Sequence, residues 1–266
     1  MFGYTVEEER AFHTCIAHGM LICSVATFVI LYFFLHSPFG KHAPMEKEKW
    51  WLGPPLPARA SWFFFESPNL IWSVVCYSQR NRDVFGTPHA ILWSCFVLHY
   101  INRAIAYPLR MKQSKPVPFL VAFSATTFCT FNGYLQSQGL CQFQEFPSPD
   151  YIYSLPFLSG LALFACGIGM NQQSDATLRN LRRVPGEYKI PRGGMFEYVS
   201  GAHYLGELLE WLGFCVAMNG SLQGVAFFAY TASNLIPRAV SHHAWYHEQF
   251  RDAYPKERKA IIPFLW

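Results

Sequence analysis

Residues Asn171 to Trp211, NQQSDATLRNLRRVPGEYKIPRGGMFEYVSGAHYLGELLEW, join a polar, arginine-rich turn to an apolar helix that carries Glu207 and Glu210. An ionisable group at membrane depth is expensive, so inside a spanning helix it marks a functional site by default. Whether this helix spans depends on the rest of the chain. Hydrophobic residues make up 52% of the 266 and charged residues only 14%, against about a quarter charged in a soluble domain. Mean hydropathy is nevertheless only mildly positive, which suits a bundle with a polar interior better than a simple anchor. The net charge of +4 comes without a basic–aromatic stripe, so nucleic acid is not an expected partner.

Runs near the roughly 20 residues that cross a bilayer occur at about 14–35, 61–77, 87–109, 117–135, 151–172, 195–218 and 222–240. The second is the weakest, being short and interrupted by Glu66 and Pro68. The first follows the acidic Glu7-Glu8-Glu9 cluster. A cleaved signal peptide starts basic and has a shorter core, so this run reads as a retained span. No repeat or soluble domain interrupts the pattern, and residues 1–266 read as one membrane domain.

Basic residues orient the spans. Lys41, Lys47, Lys49 and Arg59 follow span one, and Arg110, Lys112 and Lys115 follow span three. Arg179, Arg182, Arg183, Lys189 and Arg192 follow span five, with Arg251, Lys256, Arg258 and Lys259 in the tail. The opposite side holds only Arg10, Arg80 and Arg82. The positive-inside rule therefore predicts an all-α, seven-transmembrane-helix bundle, N-terminus outside or lumenal and C-terminus cytoplasmic. Arg103 and Arg238 sit within or at the edge of apolar helices. They either snorkel to the interface or face a water-filled cavity and pair with an anion.

Helical spacing puts His203, Glu207 and Glu210 on one face of span six. Asn171 and Asp175 lie one turn apart, with Arg182 two turns on, and Arg238, His242 and Tyr246 follow at i+4 steps. Three such stripes meeting at the cytoplasmic end suit a large phosphate-bearing ligand, with arginine as the bidentate phosphate partner. The structural alternative is that they hydrogen-bond one another. Elsewhere Glu66 and Tyr100 lie among aromatic and aliphatic residues. Apolar surroundings favour a neutral carboxyl group, and an acid and a phenol can both donate to a carbonyl oxygen and stabilise a developing enolate. Alternatives are a packing contact between Glu66 and Arg103, and an interfacial belt role for Tyr100.

His203, Glu207, Glu210, His242, His243 and His247 supply metal-ligand types, but one loose cluster falls short of the several histidine boxes of membrane di-iron enzymes. No metal is expected. The eight cysteines show no paired spacing and read as free thiols. There is no GxGxxG and no P-loop.

The chain resembles the steroid 5α-reductase family of integral-membrane, NADPH-dependent enzymes from about Gly40 to Trp266. The marks are GKH at 40–42, LPARASWFFFESP at 56–68, HYINR at 99–103, FCTFNGYLQ at 128–136, NQQSDATLRNLRR, YKIPRGGMFEYVSGAHYLGELLEW and the tail RAVSHHAWY…YPKERKAIIPFLW. The resemblance implies hydride transfer from NADPH to the β-carbon of a 3-oxo-Δ4 steroid. It implies that Glu66 and Tyr100 hydrogen-bond the 3-oxo group. The cofactor positions it implies are Arg103, Asn171, Asp175, Arg182, Tyr188, Glu207, Arg238, His242 and Tyr246, with Lys41 and Lys115 adding charge at the cytoplasmic mouth. His203 stands where steroid-reducing relatives usually have Asn, near the nicotinamide end, and Phe65 replaces a Gln found in one animal form. The eukaryotic likeness implies the endoplasmic reticulum, and the bacterial inner membrane would suit a prokaryotic chain.

Two neighbouring chemistries compete within oxidoreductases, reduction of a trans-2-enoyl-CoA or of a polyprenal. An isoprenylcysteine-type methyltransferase shares the membrane bundle, but its RHPxY motif is replaced here by RAVSHHAWY. A non-catalytic sterol-binding protein would have no need of Glu66, Tyr100 and the cofactor positions together.

Overall fold

The computed structural model describes residues 5–35, 50–112, 114–181 and 188–266. The expectations for Lys41 and Arg182 fall outside these residues. Helix dominates. α1 (Val6–Val29) continues as a wider π-helical turn over Ile30–Phe34. Its start is fixed by a capping box, in which the Thr5 hydroxyl accepts from the Glu8 amide and the Glu8 carboxylate accepts from the Thr5 amide. The acidic cluster therefore belongs to the helix, which begins earlier than hydropathy indicates.

α2 spans Ala58–Ser78 and α3 Thr87–Ile101. A π-helical turn over Asn102–Ala106 leads from α3 into the short α4, Tyr107–Arg110. Then come α5 (Phe119–Gln138), α6 (Leu155–Leu181), α7 (Ala202–Ala217) and α8 (Leu222–Phe250). The only paired strands among the described residues are β1 (Pro55–Leu56) and β2 (Val117–Pro118), antiparallel, which tie the starts of α2 and α5.

α2 is longer than its hydropathy suggests because its proline is accommodated. Pro68 cannot donate to the Phe64 carbonyl, and the Ser67 hydroxyl takes that acceptor at 3.0 Å. Neighbouring hydroxyls are the usual way an apolar helix keeps an internal proline. α8 outruns its expected span by ten residues, since the helix continues past the apolar stretch and carries His242 and Tyr246 beyond it.

Cross-contacts show that the long helices alternate in direction. At one end Arg59 bonds the Met111 carbonyl, Lys112 reaches Asn180, and Ser200 meets His243. At the other, Gln138 reaches Glu9, His89 meets the Gln144 carbonyl, and Gln223 donates to Gln144. Starts and ends of successive helices thus share each face.

The core is largely apolar, yet it also holds polar groups while many large apolar side chains lie on the surface. Asn69, Ser73, Asn132, Gln136 and Glu210 are fully buried, while Phe64, Val74, Leu98, Phe123 and Leu158 are exposed. The segments Val6–Phe34 and Leu155–Leu181 are long and apolar enough to cross a membrane by length and composition.

Candidate active site

Glu66, at mid-helix in α2, faces α5, where the Cys129 thiol lies 3.6 Å from its carboxyl group. The two helices run very close here. A side chain at Gly133 would meet the Asn69 Cα at 2.8 Å and the Pro68 carbonyl at 3.0 Å, so only glycine permits this approach. The contact brings Asn132 of α5 against Asn69 of α2 and Tyr100 of α3, donating 3.3 Å bonds to the Asn69 Oδ1 and the Tyr100 hydroxyl. Tyr100 is buried and held by Phe96, His99 and Trp211 rings at 4.7, 4.9 and 6.1 Å. Glu66 keeps partial accessibility while standing within electrostatic reach of His99, Arg103 and Glu207. A carboxyl group and a phenol thus lie within electrostatic reach of each other, linked through Asn69 and Asn132.

The second half of the site is ionic. Arg103 sits in the π-helical turn after α3, a local widening that recurs at functional sites. Its guanidinium bonds Asp175 of α6 at 3.2 Å and Glu207 of α7 at 3.1 Å. One turn back, His99 Nδ1 meets Glu210 at 2.7 Å. Two pairs one turn apart on each helix fix the register of α3 against α7. Glu210 Oε2 is buried with no hydrogen-bond partner among the described residues.

α6 and α7 touch backbone to backbone. A side chain on Gly206 would come within 2.5 Å of the Asn171 amide, and one on Gly167 would collide with Glu210. Small residues at such a crossing are the common device of helix packing in membranes. Here the approach lets Asn171 donate to the His203 carbonyl at 2.9 Å and to Glu207 at 3.4 Å.

α8 closes this end. The His242 ring lies 6.2 Å from His203 and 5.3 Å from Tyr204, and Arg238 packs over the Tyr204 ring at 5.0 Å. Tyr246, one turn further on, is buried and stacks parallel on Tyr254 of the tail at 5.2 Å. Tyr188 meets Trp245 at 4.9 Å, and Lys115 is exposed ahead of β2. The tail is clasped to the start of α7. Ser200 and Gly201 donate amides to the Lys259 and Ala260 carbonyls, and buried Arg258 bonds the Pro191 carbonyl and Glu197. The Ser200 hydroxyl bridges His243 Nδ1 at 2.6 Å and the Tyr254 hydroxyl at 2.7 Å. Burial, then the nearby His247 and Lys259, lowers the pKa of His243 to about 4.

Among the expected positions, Glu66 and Tyr100 come together, as do Arg103, Asn171, Asp175 and Glu207, with His203, Arg238 and His242 beside them. Tyr246 is buried against the tail, whereas Tyr188 and Lys115 are exposed. Arg103 neither snorkels nor packs as a lone cation, because two carboxylates already hold it. Sequence reasoning gave no role to His99, Asn69, Asn132 or Gln136. The available signals were the i+4 spacing of His99 with Arg103 and of Asn132 with Gln136.

A helical bundle whose interior joins a carboxyl–phenol pair to a buried ionic cluster defines a class of site suited to polarising a small oxygen-bearing ligand. The match to known proteins is specific. Residues 115–266 match the family model described as 3-oxo-5-alpha-steroid 4-dehydrogenase. The rat protein 3-oxo-5-alpha-steroid 4-dehydrogenase 1 is 45% identical over 232 residues, 86% of each chain. The human protein of that name is 42% identical over 87% of each chain. Steroid 5-alpha-reductase DET2 of Gossypium hirsutum is 38% identical over 97% of this chain and 99% of its own. The chain belongs to the 3-oxo-5-alpha-steroid 4-dehydrogenase family.

Proposed function

We propose that the chain is a seven-span membrane reductase of the endoplasmic reticulum that converts 3-oxo-Δ4 steroids to 5α-dihydro-3-oxosteroids with NADPH. The observation that carries this reading is the electrostatic proximity of Glu66 to Tyr100, with the Arg103 ionic cluster one helical turn away. Three features support the membrane setting: alternating helices, amides and carboxyls inside with many large apolar side chains exposed, and a sequence whose basic residues concentrate in alternate loops.

Bound NADPH would supply the hydride. Asp175 and Glu207 can accept from ribose or carboxamide groups, Asn171 can donate, and Arg238 with Arg182 and Lys41 brings the positive charge a 2′-phosphate needs. Arg103, already bonded to two carboxylates, positions those acceptors and has little charge left for a phosphate. On the substrate, hydride enters at the β-carbon and the electron pair of the double bond shifts toward the 3-oxo oxygen. The Tyr100 O–H and the acid form of Glu66 donate to that oxygen and stabilise the enolate. Protonation at the α-carbon then restores the ketone.

Membranes bearing the protein, given NADPH and a 3-oxo-Δ4 steroid, are expected to yield the 5α-dihydro product, with trans-2-enoyl-CoA as the competing substrate. Loss of one preorganised donor costs roughly 10²–10³ in turnover. Glu66→Gln and Tyr100→Phe should each approach that loss while still inserting. Near-normal turnover in Glu66→Gln removes the acid-donor role, and preference for the enoyl-CoA moves the substrate class.

A further inference from the structure

The segment FCTFNGYLQ at 128–136 holds two buried amides that the mechanism above does not use. Asn132 and Gln136 are fully buried, one helical turn apart on α5. Buried amides in apolar surroundings are costly unless their hydrogen bonds are made, and these belong to a continuous set whose donor directions can be assigned. A carboxamide can be read either way round until a partner fixes it. Here backbone carbonyls do so, because a carbonyl can only accept.

Gln136 Nε2 lies 2.9 Å from the Gln223 carbonyl, so it is the nitrogen, and it also donates to Asn132 Oδ1 at 3.3 Å. Asn69 Nδ2 donates to the Glu66 carbonyl at 3.4 Å, which leaves Asn69 Oδ1 as the acceptor facing Asn132. Two independent carbonyls therefore orient Asn132 the same way, oxygen toward Gln136 and nitrogen toward Asn69 and Tyr100. Asn132 Nδ2 donates to the Tyr100 hydroxyl oxygen at 3.3 Å. With its oxygen accepting from that side, the phenol's own hydrogen must point elsewhere, and among the described residues no acceptor takes it.

We propose that Asn132, pinned by Gln136 and Asn69, is a positioning residue that presents Tyr100 as a hydrogen-bond donor to the substrate's oxygen. The site then selects a carbonyl, an acceptor, over a hydroxyl that needs an acceptor itself. The polarity is set by neutral groups, with no buried charge spent on it. The inference rests on the proposed role of Tyr100, and the test separates the two.

The experiment compares Asn132→Leu, Gln136→Met, Tyr100→Phe and the doubles of each amide variant with Tyr100→Phe. It reads turnover of a 3-oxo-Δ4 steroid, NADPH affinity, and the C=O stretch of an isotope-labelled 3-oxo steroid bound to the protein. Asn132→Leu should cut turnover roughly tenfold to hundredfold, short of a full donor loss, raise the C=O frequency, and leave NADPH affinity unchanged. Gln136→Met should do the same to a lesser degree, and it carries the test should Asn132→Leu fail to fold. In the Tyr100→Phe background each amide change should add less than about threefold, because coupled residues are non-additive. Equal losses in both backgrounds would show mere packing and overturn the proposal. So would full turnover in both amide variants when Tyr100→Phe is crippled. Near-normal turnover in Tyr100→Phe instead removes the Tyr100 reading itself.

Discussion

The two halves of the site organise polar groups inside the bundle by opposite means. Around Tyr100 the partners are neutral: Asn69, Asn132, Gln136, Gln223 and Gln144 form a relay anchored on backbone carbonyls. Around Arg103 they are ionic, with one guanidinium shared between Asp175 and Glu207. The neutral half fixes the direction of a hydrogen without placing a charge near the substrate, which suits a reaction where negative charge must appear only in the transition state. The ionic half tolerates strong fields and suits a charged dinucleotide. Polar groups, fully buried in one half and part-buried in the other, serve two chemistries, and the halves should fail differently when mutated.

The largest contrast is expected at Arg103. Arg103→Met takes from the part-buried Asp175 and Glu207 carboxylates the cation they share. Removing one member of a fully buried ionic set costs about 3–5 kcal/mol, and this part-buried set should fall near the lower end, against about 1–3 kcal/mol for Gln136→Met, which strands neutral groups. Denaturant unfolding in detergent compares them directly. Adding Asp175→Asn and Glu207→Gln to Arg103→Met should recover much of the loss, since no uncompensated charge remains. If Arg103→Met proves no more costly than Gln136→Met, the ionic description of that half is wrong.

Helix contacts sharpen the contrast at the next level. Gly206 of α7 holds Asn171 and Glu207 in place, whereas Gly133 of α5 holds Asn132 against Asn69. An alanine at either position puts a methyl group into backbone at 2.5 to 2.8 Å, and overpacking of this kind costs about 1–3 kcal/mol. The stability losses should be alike but the kinetic ones should not. Gly206→Ala is expected to raise the KM for NADPH, and Gly133→Ala to lower kcat for the steroid with little change toward the cofactor. The same kinetic change from both would show that the halves are not separable.

The sequence made the ionic half easier to see than the neutral one. Charges in apolar runs are conspicuous, and i+3 and i+4 spacing put His203, Glu207 and Glu210 on one face and Asn171 with Asp175 on another. It did not reveal that Arg103 is satisfied by carboxylates, because that depends on the glycine-mediated approach of α6 to α7. Asn132 and Gln136 stayed silent for a related reason. An amide in an apolar helix carries no charge signature, and its meaning depends on which atom faces a carbonyl contributed by α8. Helix positions were legible from hydropathy, but their ends were not. The Thr5–Glu8 capping box extended α1 and the amphipathic end of α8 carried it to Phe250, both outside the apolar windows that marked the spans.

The smallest effect concerns the clasp that seats the tail on the start of α7, and it tests whether the ionic half reaches that far. Burial lowers the pKa of His243 to about 4, with His247 and Lys259 adding to the shift, so neutral Nδ1 can accept the Ser200 hydroxyl that also meets Tyr254. An unfolded histidine titrates near 6.5. As pH falls from about 6.5 toward 4, the unfolded chain gains a proton that folded His243 refuses, so this residue's contribution makes stability decline across that window and leaves it flat above. Melting temperatures at pH 7.5 and 5.0 should fall further for the parent protein than for His243→Gln, in which an amide oxygen can still accept from Ser200. The difference is modest because His243 is only part-buried and other histidines titrate in both proteins. An identical pH slope in the variant would mean that His243 is not held neutral by the clasp. The tail would then be seated by the Arg258 bonds to Pro191 and Glu197 alone, and its docking on α7 would not depend on pH in this range.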